Sequence, residues 1–395
     1  MQYRLDDKTG NQLSVLGFGC MRFPRGANGR IDRAKTEDLI LSAINYGINY
    51  FDTASTYGGS EEILGEILPK NQVRHKIFLA TKMPLAHCKR PEDFDHLFMA
   101  QLNRLKTHYI DYYLLHNLAD MSLWNRLREI GAENWIARMK AAGHIRRLGF
   151  SFHGPQKEFL ALLDAFDWDF CQIQYNYMNE NYQAGRLGLH KASQRGLPVL
   201  IMEPLLGGKL ADGLPPVADK LLRDAPGGYS PAAWALRWLW NQPEVTLVLS
   251  GMNSEAQLID NVRAAHEAVP SMLSREELFL IGRAADIFRE SFKIPCTGCN
   301  YCMPCPHKVN IPGCFTAYNM SYATGFVCGL QHYLTSIAAI YPQHNCSGRR
   351  CVKCGKCEKQ CPQHIKITQA LDAVTQRMEP SGIQAALQLY HRLGI

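Results

Sequence analysis

The sequence contains no uninterrupted apolar run long enough to cross a bilayer, and its opening, MQYRLDDKTGNQ, has no apolar stretch of the kind a secretory leader carries. A cytoplasmic protein without membrane contact is expected. A helix-turn-helix pattern and aromatics interleaved with basic residues are missing too, so nucleic acid is not expected as a partner. No low-complexity segment interrupts the chain. With 46% hydrophobic and 20% charged residues over 395 positions, a sizeable core is affordable, and the length suggests one large domain plus a smaller one.

Charge and cysteine are unevenly spread. From Cys296 onward there are nine Lys and Arg against three Asp and Glu, whereas residues 1–295 balance at 34 against 33. Eight of the fourteen cysteines fall in two runs, CTGCNYCMPCP from Cys296 and CVKCGKCEKQCP from Cys351. Reduced cytoplasmic thiols at such spacing read as ligands rather than disulfides. The second run, Cys351-x2-Cys354-x2-Cys357-x3-Cys361-Pro362, has the spacing of bacterial ferredoxins; the first is one residue shorter between Cys302 and Cys305. By analogy, Cys296, Cys299, Cys302 and Cys361 are expected to hold one 4Fe-4S cluster, and Cys305, Cys351, Cys354 and Cys357 another. Two such clusters carry about four negative charges and offset much of the local basic surplus. Zinc is the competing reading of paired C-x2-C units, although no histidine lies at ligand spacing.

Upstream, short apolar runs alternate with helical patterns. After a hairpin-like turn at residues 8–11, strands are expected over residues 16–20, 49–54, 77–82, 110–116, 146–151, 170–175, 198–203 and 245–250, with amphipathic segments between them, such as residues 32–46. Eight strands, each followed by a helix, close a parallel (β/α)8 TIM barrel. Barrel, connector helix and tail are expected over residues 1–272, 273–295 and 296–395. The connector opens on the capping pattern Ser274-Arg-Glu-Glu277. The tail is expected to be a smaller, mainly helical domain like the dicluster ferredoxins, with residues 315–339 helical.

Barrel active sites lie where strands end, so polar residues at strand C-termini are the first candidates. Asp52 closes the second strand, Tyr57 follows five residues later, Lys82 closes the third and His116 the fourth. Singly, these read as a cap, loop packing, a solvated strand end and a core histidine. Together they make a proton-transfer device. An ammonium lowers the pKa of a neighbouring phenol, a carboxylate holds that ammonium, and an imidazole fixes a carbonyl oxygen that receives hydride.

Here the sequence resembles the aldo/keto reductase family over residues 1–270. The resemblance rests on LGFGCMRF, FDTASTYGGSEEILGEIL, ATK, LNRLKTHYIDYYLLH, GHIRRLGFSFH, CQIQYNYMN and SGMNSEAQLIDNV. It implies a TIM-barrel oxidoreductase that reduces small carbonyls, or oxidises alcohols, with NADP(H) or NAD(H), its Asp-Tyr-Lys-His tetrad falling on Asp52, Tyr57, Lys82 and His116. Nicotinamide contacts would fall on Ser151 and Gln172, and adenosine-phosphate contacts on Gly251, Asn253, Gln257 and Asn261. Gly207, Gly208 and Lys209 would serve the pyrophosphate, and Cys20 and Met21 would join the cofactor contacts; by strand position, Cys20 and Cys88 lie near the barrel mouth and read as pocket lining. Three positions depart from the family pattern. Phe152 stands where an Asn is usual, Met202 where an aromatic ring is usual, and Gln257 where a basic residue is often found. A flavin in the same mouth stays an alternative.

Three functions follow. In the first, the tail clusters relay electrons between the barrel and an electron-transfer protein. In the second, the chain is a plain carbonyl reductase whose clusters are structural or sensory, and in the third a non-catalytic redox-sensing nucleotide binder. Residues 84–90 and 117–122, the loops expected to select the substrate, carry no diagnostic chemistry.

Overall fold

A computed structural model of the chain describes residues 1–337 and 346–383. Strands β1 (Tyr3–Asp6) and β2 (Asn11–Ser14) form an antiparallel hairpin. Eight further strands follow: β3 (Leu16–Gly19), β4 (Tyr50–Asp52), β5 (Phe78–Met83), β6 (Ile110–Leu115), β7 (Ile145–Phe152), β8 (Phe170–Gln174), β9 (Val199–Met202) and β10 (Val245–Ser250). They close a barrel in chain order, with β10 parallel to both β9 and β3. The expected TIM barrel is therefore present.

β6, β8 and β10 are buried along their whole length, which is why they read as continuous apolar runs rather than as alternating ones. One interior layer contains Tyr50, Tyr112 and Phe170, their rings meeting edge-on at 5.1 Å. Burying such side chains stabilises the barrel by about 1.5–3 kcal/mol each. The hairpin seals that end: Leu13 joins the layer, and the Tyr112 hydroxyl donates to Asp6 at 2.7 Å. Chemistry is left to the opposite end, where the strands finish.

Caps set the helix starts. Asp32 accepts from Lys35 N ahead of the helix Arg33–Asn45, and Asp120 from Leu123 N ahead of Met121–Glu129, each cap worth about 1 kcal/mol. Two strands are followed by two helices rather than one. After β6 the helices Met121–Glu129 and Ala132–Ala141 are separated by Gly131 at φ +87°; after β9 come Pro216–Arg223 and Pro231–Trp240. The capping box appears as read, Ser274 N donating to Glu277 at 2.8 Å and Glu277 N to Ser274 Oγ at 3.1 Å, at the start of the helix Arg275–Ser291.

The chain divides into two compact units, Met1–Leu205 with Ala232–Leu278, and Leu206–Pro231 with the chain from Phe279 onward. All barrel strands belong to the first. In the second, the helices Ile311–Ala323, Phe326–Ser336 and Ile367–Met378 gather around Ile311, Phe315, Tyr333, Leu371 and Val374. Asn319 ties down the chain at Ile294, donating to its carbonyl at 2.7 Å and accepting from its N–H at 2.9 Å. The helix expected over residues 315–339 is two helices, broken at Gly325 (φ +103°), and its last two residues lie outside the described residues.

The expectation of a ferredoxin-like domain with two 4Fe-4S clusters is corrected. Cys296, Cys299, Cys302 and Cys361 line one cavity, and Cys305 and Cys351 lie close enough to Cys357 to act on its thiol. Among the described residues, however, no group of three or more His, Cys, Asp or Glu side chains is placed so that it could hold a metal ion. Lining a cavity is a looser condition than ligation, which needs several donors aimed at one point at bonding distance. Sequence spacing delivers the first and does not by itself deliver the second. The ligand roles read for Cys296, Cys299, Cys302, Cys305, Cys351, Cys354, Cys357 and Cys361 are withdrawn on that finding, and zinc with them.

Candidate active site

β4 and β5 bring Asp52 and Lys82 together through their parallel register, in which Asp52 lies opposite Ala80. Lys82 is 1% exposed and Asp52 4%. The Lys82 ammonium donates to Asp52 Oδ1 at 2.5 Å, to the Thr53 carbonyl at 2.9 Å and to the Tyr57 hydroxyl oxygen at 3.1 Å. All three of its donors are thereby engaged. The second Asp52 oxygen accepts from Gln172 Nε2 at 3.0 Å. This buried carboxylate is thus held from two sides, which a buried charge requires.

Tyr57 sits on the loop after β4, half-buried, its ring 4.7 Å from the Lys82 ammonium. His116 directly follows β6 and meets the Tyr57 ring edge-on, centroids 6.3 Å apart. Enclosure by protein, then the charge of Lys82, then His153, pull the His116 pKa down to about 3. It is a neutral imidazole at any working pH, able to donate a hydrogen bond without carrying charge. The four residues read from strand ends therefore do converge.

The other expected residues fall as follows. Ser151 and Gln172 are register partners on β7 and β8, both buried. Ser151 Oγ accepts from Asn117 N at 2.9 Å. Gly251 follows β10, where a Cβ would touch the Arg22 side chain at 3.4 Å. Gln257 lies in the first turn of the helix Glu255–His266; its Oε1 accepts from Asn253 N at 2.9 Å, and Ser254 caps the turn. Asn261 is buried and donates to Ser250 Oγ at 2.9 Å. Gly207, Gly208 and Lys209 belong to the second unit. There Gly207, at φ +69°, lies so near Thr297 that a Cβ would come 2.0 Å from its carbonyl oxygen. Cys20 is buried with its thiol pKa pushed well up, and the Cys88 thiol is pushed up to about 12, burial being the main cause in both; neither is an activated nucleophile. Met21 is half-buried beside Cys20.

Two residues at strand ends escaped the sequence reading. Glu203 follows β9 with φ +53°, and burial pushes its carboxyl up to about 7 against the opposing pull of Arg22. His153 follows β7. Both could have been found by treating every strand end alike.

The aldo/keto reductase family model matches residues 15–275. The chain belongs to the aldo/keto reductase family. Among curated relatives, L-galactose dehydrogenase of Arabidopsis thaliana is 28% identical over 308 residues, covering 70% of this chain and 92% of that protein. NADH-specific methylglyoxal reductase of Escherichia coli is 26% identical over 305 residues, covering 64% and 90%. Among solved structures, the holo form of an aldo-keto reductase from Bacillus halodurans has a TM-score of 0.59 at 26% identity, covering 72% of this chain and 96% of that one. One from Klebsiella pneumoniae in complex with NADPH shows the same fold with a TM-score of 0.58 at 24% identity, over 72% and 95%.

As a member of this family the protein is an NAD(P)H-dependent oxidoreductase, and a small-molecule carbonyl or alcohol fits it as substrate. The alternative of a flavin is corrected on the same findings, since the relatives named for a cofactor take NADH or NADPH. Without metal-holding groups among the described residues, the electron relay to a partner protein loses its carriers, and membership in a family of oxidoreductases replaces the non-catalytic reading. No helix among the described residues is long and apolar enough to cross a membrane.

Proposed function

We propose that the protein reduces a small carbonyl compound with NAD(P)H, Tyr57 supplying the proton. One observation carries this reading: the Lys82 ammonium, buried and held by Asp52, donates a hydrogen bond to the Tyr57 oxygen. A positive charge fixed beside a phenol stabilises the phenolate left when the proton departs, the condition a general acid must meet. Asp52 keeps that ammonium in place, and Gln172 keeps Asp52 in place. His116, uncharged, orients the carbonyl oxygen.

The residues fit a nicotinamide. Ser151 accepts from Asn117 N and retains a hydroxyl donor; Gln172 donates to Asp52 and retains a carbonyl acceptor. The two stand side by side on adjacent strands, and a donor beside an acceptor is what a primary carboxamide needs. The opening of the helix Glu255–His266, with Gly251, Asn253, Gln257 and Asn261, would hold the adenosine phosphate, the positive end of a helix favouring negative charge. When bound, the nicotinamide supplies the hydride; the protein's own part is to place the carbonyl and deliver a proton to its oxygen.

Replacing Tyr57 by Phe is the test. The variant should lose about 10²–10⁴-fold in kcat while its NADPH affinity, read by fluorescence titration, stays within a few-fold. Undiminished turnover would remove Tyr57 from the proton path.

A further inference from the structure

β8 presents more to the barrel mouth than Gln172. Phe170 belongs to the interior layer and Gln172 donates to Asp52, so the first and third residues of this strand face inward. Tyr175 lies on the outer side, its ring 5.3 Å from that of Trp238 and its hydroxyl donating to Gln242 at 3.0 Å. Gln174, the fifth and last residue of β8, is therefore on the inward face, one strand repeat beyond Gln172 and the register partner of Met202 on β9.

Gln174 is 0% exposed, and neither its Nε2 nor its Oε1 has a hydrogen-bond partner among the described residues. Neighbouring buried amides are engaged. Gln172 Nε2 is held by Asp52, and Asn176, two positions beyond Gln174, donates to the Glu203 carbonyl and accepts from Met178 N and Asn179 N, each at 3.1 Å. A buried amide with both ends unmet destabilises a fold, and its presence calls for an explanation.

A planar group with two N–H donors and a carbonyl acceptor is matched by another primary amide, which returns both kinds of bond at once. The carboxamide of nicotinamide is such a group, and the protein is NAD(P)H-dependent. Ser151 and Gln172, on adjacent strands, have one donor and one acceptor for it. One lone pair of its oxygen and one of its N–H groups are left to be met. β7 has nothing further to give at Phe152, whose ring packs 5.0 Å from that of Phe159 on the helix Gln156–Ala165. We propose that Gln174 pairs with the nicotinamide carboxamide, supplying the second donor and the second acceptor and so fixing the rotation of the ring in the mouth. This inference rests on the reductase reading above and on the place given there to the carboxamide.

The test is binding, measured by titration calorimetry on the intact protein with NADPH and with 2'-phospho-ADP-ribose, which lacks the nicotinamide. Gln174→Met keeps the length of the side chain and removes the amide. Without cofactor its melting temperature should rise, because a buried polar group without a partner is gone. Its Kd for NADPH should rise about tenfold, while its Kd for the nicotinamide-free ligand stays within about twofold of wild type. Gln174→Leu serves if the methionine variant fails to fold. Unchanged NADPH affinity, or an equal loss on both ligands, overturns the role of Gln174 while the reductase reading stands. Unchanged NADPH affinity with a raised KM for an aldehyde would give the amide to the substrate instead, and a lowered melting temperature would show that the fold itself satisfies it; either overturns the pairing. A wild-type protein that binds no NADPH overturns the reading and this inference together.

Discussion

β5 has a buried ionic network on each of its faces, and the two are built to different ends. Lys82 points into the barrel mouth and joins Asp52, Thr53, Tyr57 and, through Asp52, Gln172. Thr81, one residue earlier, points outward to Glu61 at 2.6 Å. Glu61 also accepts from Gln101 at 2.8 Å and from Arg104 at 2.7 Å, while Gln101 accepts from the Tyr113 hydroxyl and donates to the Lys82 carbonyl. The outer network ties two helices to two strands, β5 and β6. The inner one includes a half-buried phenol. A network that ties helices to strands holds elements together, whereas one that includes a partly exposed phenol can present that group to a substrate.

Breaking the inner network should have the largest effect. Lys82→Met leaves Asp52 charged and buried without its cation, at a cost of about 3–5 kcal/mol, and removes the charge that serves Tyr57. Both the denaturation midpoint and carbonyl reduction should fall, the latter to background. Full activity in the variant would show that the ammonium is not part of the proton path. Breaking the outer network should separate the two properties. Glu61→Ala should cost about as much stability, because Arg104 and Gln101 lose their acceptor, yet folded variant should retain kcat within about twofold. A collapse in kcat with unchanged stability would reverse the assignment of the two networks.

The smallest effect concerns pH. His116 stays neutral down to about pH 3, so no inflection in the rate is expected near its ordinary value of 6.5. Glu203 behaves otherwise. Its carboxyl is raised from 4.5 to about 7, so the folded protein binds that proton more tightly than the unfolded chain does. The associated stability is complete below about pH 4.5 and is lost as pH rises towards 7. Glu203→Gln removes this dependence, and its melting temperature relative to wild type should therefore be higher at pH 8 than at pH 5. Equal differences at both values would mean that burial does not perturb this group.

Much of the barrel could be read from sequence because its signals are local. Each parallel strand is a short apolar run bounded by breakers, and all eight lie within a few residues of their expected positions. The tetrad was legible for the same reason: a polar side chain that closes an apolar run is conspicuous. His153 and Glu203 stand at strand ends too but follow no familiar grouping. The Glu61 network was invisible because the partners of Glu61 lie 20 to 43 positions from it and only packing brings them together. The cysteines teach the reverse. Their spacing is regular and conspicuous, and it places four thiols around one cavity, but convergence on a single point is a three-dimensional condition that a spacing cannot state.

The alternation of Thr81 and Lys82 also limits how this barrel can be altered. A strand has a period of two, so losing or gaining one residue in β5 would turn the lysine towards the helices and the threonine into the mouth. Both networks would fail in one event, with no half-working intermediate. An insertion in the loop after β5, around residues 84–90, does not shift that phase. A change confined to that loop, beginning beyond Met83, leaves the phase of the strand untouched, although it meets the buried Leu85 and Cys88, whose carbonyls accept from Arg126.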